Sequence, residues 1–306
     1  MSLQRYVVNT LLRFTVKRRF AKEPDVMELR AIMAELPPAR VPQHIHIDQG
    51  HLGTVATEVM TAPGASSAHA ILYIHGGGFV GGAPTTHRAL TWRLADETRV
   101  PVYVIDYRLA PEHPFPAGLD DCVTAYRTLL AKGLSPSAIA VGGDSAGGNL
   151  TLALALKLKV LGLPQPAALV CLSPVTDLAE GAPSHKTNAN SDVMFDARTF
   201  DTVAKSYCPD HDAGDPLISP RRGDPAGLPP TLFQASGAEM LRDDSVLMAD
   251  KMRAAGVDVT IELWPKVSHV WQVTADMLPE GRQAIAKISA FVKQRLGIPA
   301  ATASHP

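Results

Sequence analysis

Cysteine is scarce in this chain, and its scarcity excludes two kinds of stabilising site. The 306 residues contain three cysteines, Cys122, Cys171 and Cys208, and no two of them have C-x-x-C spacing. An odd, sparse set of cysteines predicts neither a disulfide framework nor a zinc site. We therefore expect inert thiols, no bound metal ion and a reducing, cytoplasmic location.

Excess charge and long apolar runs are also lacking. The 29 basic and 30 acidic residues nearly balance, which argues against a nucleic-acid partner. No apolar run approaches a membrane span, and residues 1–20 lack the apolar core of a signal peptide. Their basic residues are Arg5, Arg13, Lys17, Arg18 and Arg19. We expect no stable membrane insertion, although a basic amphipathic helix here could touch a membrane surface or lie over the rest of the protein.

What the chain does have is an alternation of strand-like and helix-like segments. Alternating apolar residues at 44–47 and 55–60 predict two antiparallel strands. From residue 70 onward, short apolar runs alternate with helical periodicity, which predicts a parallel sheet with helices on both faces. The alternation breaks over 177–230, which predicts an insertion that covers the carboxyl edge of the sheet. Apolar residues at helical spacing predict two helices within 1–36.

One short stretch combines a strand, a sharp turn and a helix. The apolar run 139–142 leads into G-D-S-A-G at 143–147, and strong helix formers follow at 149–157. A strand that turns straight into a helix through G-x-S-x-G is a nucleophile elbow, with the serine at the apex of a strained turn. The N–H groups at the start of the helix favour negative charge there. Ser145 is therefore the predicted nucleophile.

A serine hydroxyl needs a neighbouring base, and the base needs a third group that fixes its tautomer. On a sheet of this type the chain order is serine, acid, histidine. His269 follows the last predicted strand, 259–263, at the edge of the sheet where active sites of open parallel sheets lie. We therefore predict that His269 is the general base.

Three carboxylates compete for the role of the acid. Glu239, Asp243 and Asp244 all follow the predicted strand 231–235, and Glu239 is the nearest to its end. The two aspartates stand where a helix begins, a position at which aspartate usually caps the helix or interacts with its dipole. Glu239 is the predicted acid, and Asp243 is the main alternative.

The reaction also needs donors for an oxyanion. The glycine run 76–78 follows a buried strand and offers backbone N–H groups free of side chains, and Ala146, the residue after the nucleophile, offers another. Four apolar residues flank the candidate catalytic residues and are tentative pocket residues: Phe79, Met240, Val270 and Trp271.

Three segments together resemble the hormone-sensitive-lipase-like family of α/β-hydrolases, whose bacterial members are called family IV esterases. They are H-G-G-G-F at 75–79, D-Y-R-L-A-P-E-H-P-F-P-A at 106–117 and G-G-D-S-A-G-G-N at 142–149. D-P-L-I-S-P at 215–220 also resembles a family segment. The resemblance implies an eight-stranded, mostly parallel sheet whose second strand is antiparallel, with a helical cap.

The resemblance also implies roles for residues. Ser145 would be the nucleophile and His269 the base, and the oxyanion donors would be Gly77, Gly78 and Ala146. Many members have Asp-Pro-Leu where this chain has Glu-Met-Leu at 239–241, and some have glutamate there, so the acid stays open. Members often form dimers through their eighth strand, here Val259–Leu263.

The expected organisation is one α/β-hydrolase domain with cap segments. The N-terminal cap helices would span 1–42, the catalytic domain 43–177 and 215–298, the inserted cap segment 178–214 and the tail 299–306. The expected activity is carboxylic ester hydrolysis through an acyl-enzyme, on short- to medium-chain small-molecule esters and without a cofactor. Lactone or amide hydrolysis and a non-catalytic receptor are the alternatives.

Overall fold

An eight-stranded sheet organises the computed structural model, which describes residues 2–20, 25–35 and 39–299. Its strands follow the spatial order β1-β2-β4-β3-β5-β6-β7-β8. They are β1 (His46–Leu52), β2 (Val55–Thr61), β3 (Ala70–Ile74), β4 (Val102–Ile105), β5 (Ile139–Asp144), β6 (Ala168–Leu172), β7 (Thr231–Ser236) and β8 (Val259–Trp264).

Strand β2 pairs antiparallel with both β1 and β4, whereas the other pairs are parallel. The predicted mostly parallel sheet with an antiparallel second strand is therefore confirmed. One boundary differs from the sequence pattern: β1 begins at His46, not at His44. The reason is local, because the amide of Ile45 donates to the carbonyl oxygen of Pro42 at 3.0 Å and closes a turn.

Helices cover both faces of the sheet. They are α1 (Leu3–Leu12), α2 (Arg18–Phe20), α3 (Val26–Ala34), α4 (Arg88–Thr98), α5 (Ala117–Ala131), α6 (Ala146–Val160), α7 (Ser184–Thr187), α8 (Ala197–Tyr207), α9 (Arg242–Ala254) and α10 (Pro279–Arg295). A π-helical turn, Arg13–Lys17, joins α1 to α2. Helices α4 and α10 pack on one face and α5, α6 and α9 on the other, so β3, β5, β6 and β7 are buried throughout. Full burial explains why β3 and β6 are apolar without alternation.

Two cap segments lie over the carboxyl edge of the sheet and are bonded to each other. The ammonium of Lys17, at the end of the π-helical turn, donates to the carbonyl oxygens of Ala189 and Asp192 at 2.6 Å. Arg13 donates to the carbonyl oxygen of Asn190 at 3.2 Å. The domain boundaries stay a prediction, and residues 300–306 of the predicted tail lie outside the described residues. Among the described helices, none is long and apolar enough to span a bilayer.

Candidate active site

Ser145 alone makes the turn between β5 and α6. Its backbone has φ 52° and ψ −118°, a strained conformation for a residue with a side chain. Its amide donates to the carbonyl oxygen of Leu172, at the end of β6, at 2.8 Å, and this bond helps to hold the turn. A Cβ atom at Gly147 would lie 2.0 Å from the carbonyl oxygen of Ile74, which explains why this position is a glycine. The elbow predicted from G-D-S-A-G is thus present as a strained strand-to-helix turn.

His269 and Glu239 meet in the loops that follow β8 and β7. The Nδ1 atom of His269 lies 2.5 Å from Oε2 of Glu239, and both side chains are buried. The other carboxylate oxygen, Oε1, accepts from the hydroxyl of Ser173 at 2.8 Å and from the amide of Ser236 at 2.6 Å. Both oxygens are therefore fixed, and the pair leaves Nε2 as the nitrogen of His269 that can accept a proton from Ser145. His269 and Ser145 line the same cavity.

The two competing carboxylates have other partners. Asp243 pairs with its neighbour Arg242, with 2.6 Å between Oδ1 and Nε. Asp244 accepts from the amide and hydroxyl of Thr176 and lies 2.7 Å from Nε2 of His185. Among the three candidates, the geometry brings Glu239 to His269.

The loop that carries Glu239 is held by the inserted segment. The side-chain amide of Asn188 donates to the carbonyl oxygen of Glu239 at 2.9 Å, and the amide of Met240 donates to Oδ2 of Asp192 at 2.8 Å. The hydroxyl of Ser184 donates to the carbonyl oxygen of Met240 at 2.6 Å. Sequence reasoning treated this segment as a cover and missed its second role, for which its polar cluster at 184–192 was the available signal.

The glycine loop after β3 presents unused backbone donors. Gly77 has φ +127° and Gly78 has φ +63°, conformations that favour glycine. Within the described part of the chain, the amides of Gly77 and Gly78 donate to no acceptor. Ala146 is the first residue of α6, so its amide has no partner inside the helix. These three amides are available to a developing oxyanion.

Comparisons with known proteins bear on this arrangement. A family model described as an alpha/beta hydrolase fold matches residues 71–273. A crystal structure of an esterase from the bacterial hormone-sensitive lipase family is 39% identical, with a TM-score of 0.89 over 97% of this chain and 99% of that one. This chain belongs to the hormone-sensitive-lipase-like family of α/β-hydrolases.

Two relatives and one solved structure show which activity accompanies this family membership. An acetyl-hydrolase of Streptomyces hygroscopicus is 38% identical over 257 residues, 81% of this chain and 86% of the relative. An esterase of Acinetobacter venetianus is 36% identical over 290 residues, 94% of this chain and 95% of the relative. The esterase structure EstE5, soaked with p-nitrophenyl butyrate, is 35% identical, with a TM-score of 0.92 over 97% of this chain and 100% of that one. The chain is a serine carboxylesterase.

The esterase has a cavity of about 160 Å³ between its cap and the elbow. Of the four tentative pocket residues, Phe79 and Val270 line it, and Met240 and Trp271 do not, which corrects the sequence prediction. Trp271 is fully buried in a separate cluster, where its ring packs with Val267 and not against the cavity. The amide of Met240 bonds to the inserted segment, so this residue belongs to the support of the acid loop.

A buried histidine–carboxylate pair behind the glycine loop was not predicted. Asp144, beside the nucleophile, accepts from the hydroxyl of Tyr73 at 2.8 Å and from the amide of Gly76 at 3.1 Å, and Nε2 of His87 lies 3.2 Å away. Although burial acts in the opposite direction on each group, their attraction raises the pKa of His87 and lowers the pKa of Asp144. Burial lowers the pKa of the neighbouring His75 to about 4. Through Asp144, this pair holds the first glycine of the loop.

Proposed function

We propose that this carboxylesterase cleaves short- to medium-chain acyl esters through a triad of Ser145, His269 and Glu239. The main support is the 2.5 Å contact between Nδ1 of His269 and Glu239, beside a cavity that Ser145 also lines. A carboxylate in this position fixes the tautomer of the imidazole and stabilises its protonated form. Asp243, the alternative acid, has Arg242 as its partner.

The proposed reaction follows from these positions. Ser145 attacks the ester carbonyl carbon while Nε2 of His269 accepts its proton. The oxyanion accepts hydrogen bonds from the amides of Gly77, Gly78 and Ala146. Protonated His269 then returns the proton to the leaving alcohol. A water molecule, deprotonated by His269, cleaves the acyl-enzyme by the same route and releases the acid.

The preference for short chains is supported by the size and chemistry of the cavity. Its volume is about 160 Å³, and its lining is mostly apolar, with Phe20, Phe79, Phe195 and Phe200 among the residues. An apolar cavity of roughly 150 Å³ accepts a group the size of benzene. One relative is named an acetyl-hydrolase, and a related structure was soaked with p-nitrophenyl butyrate, which is consistent with small acyl groups.

Two further expectations belong to this proposal. The homodimer through Val259–Leu263 is supported by the position of β8, which is the last strand in the sheet order. An Ile261→Pro variant would disturb that edge and should elute as a monomer in size-exclusion chromatography if wild type is a dimer.

The cytoplasmic location rests on the scarcity of cysteine and is testable by cell fractionation.

The test of the proposed function is hydrolysis of p-nitrophenyl esters from acetate to laurate by wild type and Ser145→Ala. We expect kcat/KM to peak at short acyl chains and to collapse in the variant. A peak at laurate would contradict the chain-length proposal. Hydrolysis of amides or lactones in the absence of any ester hydrolysis would contradict the proposed reaction.

A further inference from the structure

The outer face of α1 and the π-helical turn is apolar and exposed. Five apolar side chains on these elements are between 52% and 78% exposed: Leu3, Tyr6, Val7, Leu11 and Phe14. Four of them, at positions 3, 7, 11 and 14, have the spacing of a single helix face. We call this set the outer stripe. Arginine side chains contact the rings of Tyr6 and Phe14, and the five side chains otherwise stay more than half exposed in the described chain.

The opposite face of the same helical segment packs against the rest of the enzyme. Val8, Val16 and Phe20 are buried, and Leu12, Val16 and Phe20 line the active-site cavity. The segment is therefore apolar on two sides, one of which forms part of the cavity wall. A helix that is apolar all round is usually buried. We therefore expect another molecule or surface to bind and cover the outer stripe.

The charged residues of this segment are all basic. Residues 1–22 include six Arg and Lys residues and no Asp or Glu. Arg13 and Arg18 are exposed. The guanidinium of Arg18 lies 4.4 Å from the ring centre of Phe14, and Arg13 donates to the backbone carbonyl of Asn190. Arg19, by contrast, pairs with two carboxylates of the neighbouring segment. Neither Arg13 nor Arg18 pairs with a carboxylate of the described chain, so both place positive charge next to the outer stripe.

We propose that the outer stripe docks this esterase on an anionic lipid surface. The apolar side chains would enter the boundary between headgroups and acyl chains, and Arg13 and Arg18 would contact lipid phosphates. A second copy fits less well, because a two-fold contact through the stripe would bring the arginines of both copies together without a carboxylate on the helix to neutralise them. Docking would also set one wall of the cavity against the surface from which apolar esters partition. The proposal is independent of which residue is the triad acid.

The test is flotation of the full-length protein with vesicles. We expect binding to vesicles of phosphatidylglycerol and phosphatidylcholine, weaker binding to phosphatidylcholine alone, and release from the anionic vesicles as salt rises. The double variant Val7→Asp and Leu11→Asp should not float, because carboxylates would face the headgroups. Arg13→Gln with Arg18→Gln should weaken binding to anionic vesicles by roughly tenfold or more, since each basic residue near the surface contributes about a fivefold factor.

A matched control uses an exposed apolar pair elsewhere. Val160 and Leu161, at the end of α6, are 76% and 46% exposed, and a variant with Asp at both positions should float like wild type. Val7 and Leu11 do not line the cavity, so their Asp variant should keep the wild-type melting temperature and rate on p-nitrophenyl acetate.

The outcomes separate this proposal from its competitors. Absence of wild-type flotation, or flotation of the Val7→Asp and Leu11→Asp variant at the wild-type level, would overturn it. A wild-type dimer that this variant dissociates, without vesicle binding by either protein, would assign the stripe to a second copy. Loss of ester hydrolysis with intact flotation would contradict the proposed function and leave the docking surface in place.

Discussion

The polypeptide that follows β7 supplies the carboxylates of two histidine–carboxylate pairs. Glu239 lies 2.5 Å from Nδ1 of His269, and five residues later Asp244 lies 2.7 Å from Nε2 of His185. The residue types and distances are nearly the same. The surroundings differ, because His269 lines the cavity with Ser145, whereas His185 stacks on the ring of Phe200 with 4.7 Å between ring centres and does not line the cavity.

This difference shows what a histidine–carboxylate contact requires before it can act in catalysis. The second nitrogen of the imidazole must face a nucleophile across a space that substrate can enter. His269 and Ser145 line one cavity, as this condition requires. The His185 pair instead joins the inserted segment to α9, with Asp244 also bound to Thr176. The first pair should therefore control rate and the second stability.

The largest expected effect is on kcat, and it distinguishes Glu239 from Asp243 as the catalytic acid. Glu239→Gln should lower kcat on p-nitrophenyl butyrate by about 10³- to 10⁴-fold, because the amide no longer stabilises protonated His269. Asp243→Asn, the matched control in the first turn of α9, should stay within about threefold of wild type, because Asp243 contacts Arg242 and not His269. A large loss in Asp243→Asn with near-normal Glu239→Gln would exchange the roles of the two residues.

The second prediction addresses the other pair. Asp244→Ala should lower the free energy of unfolding in urea by about 3 to 5 kcal/mol, because it removes a buried carboxylate and leaves His185 and Thr176 without their acceptor. The kcat of the folded fraction should fall by less than about tenfold, since Asp244 acts through packing and does not touch the reacting atoms. A fall in kcat as large as that of Glu239→Gln, with unchanged stability, would show that the two pairs act together in catalysis.

A third pair, His87 with Asp144, is buried, and its surroundings lead to a prediction about pH. Beside it, burial lowers the pKa of His75 from 6.5 to about 4. Between these values the unfolded chain binds a proton that the folded chain does not, so the free energy of unfolding falls as the pH falls from 6.5 towards 4. From pH 7 to pH 5, wild type should lose about 2 kcal/mol that His75→Gln does not lose.

The check on this prediction is urea unfolding of both proteins at the two pH values. His87, Asp144 and the ring of Tyr107 lie near His75, and Tyr73 donates to Asp144. All four groups are present in both proteins, so their own titration contributes to both curves. Parallel dependence on pH in the two proteins would show that His75 is not held neutral by the fold.

The smallest expected effect concerns the bond that links the cap to the acid loop. Asn188→Ala removes the donor to the carbonyl oxygen of Glu239, so the carboxylate should be less well placed. We expect kcat to fall by about tenfold, with little change in KM, because a shift of less than 1 Å in a catalytic group is costly. Ser191→Ala, which removes a bond to Ala238 in the same loop, is the control and should have a smaller effect. Equal effects of the two substitutions would contradict a specific role for Asn188.

The elbow around Ser145 could be predicted from the sequence, because it is formed by residues that are neighbours in the chain. The strand before Ser145, its glycines and the helix after it follow one another along the chain, so propensity and spacing are enough to predict the elbow. His269 and Glu239 were assigned because residues after parallel strands meet at one edge of the sheet, and the structure brings these two together.

Contacts between segments that are distant in the chain could not be predicted from the sequence pattern. Asn188 and Asp192 precede the acid loop by about fifty residues, and their bonds to it depend on how the inserted segment folds back. The same limit explains the error at Trp271. Its place in the chain suggested the pocket, but the side chain turns towards Val267 and away from the cavity.

The central claim is that Ser145 is activated by His269 and Glu239 and not by the second pair. The most direct test is the rate at which a fluorophosphonate probe labels the protein, followed by mass spectrometry of the modified peptide. We predict one adduct, on Ser145, with labelling slowed by about 10³-fold or more in Glu239→Gln and changed by less than about threefold in His185→Gln. Equal labelling rates in wild type and Glu239→Gln, or an adduct on another residue, would contradict the claim.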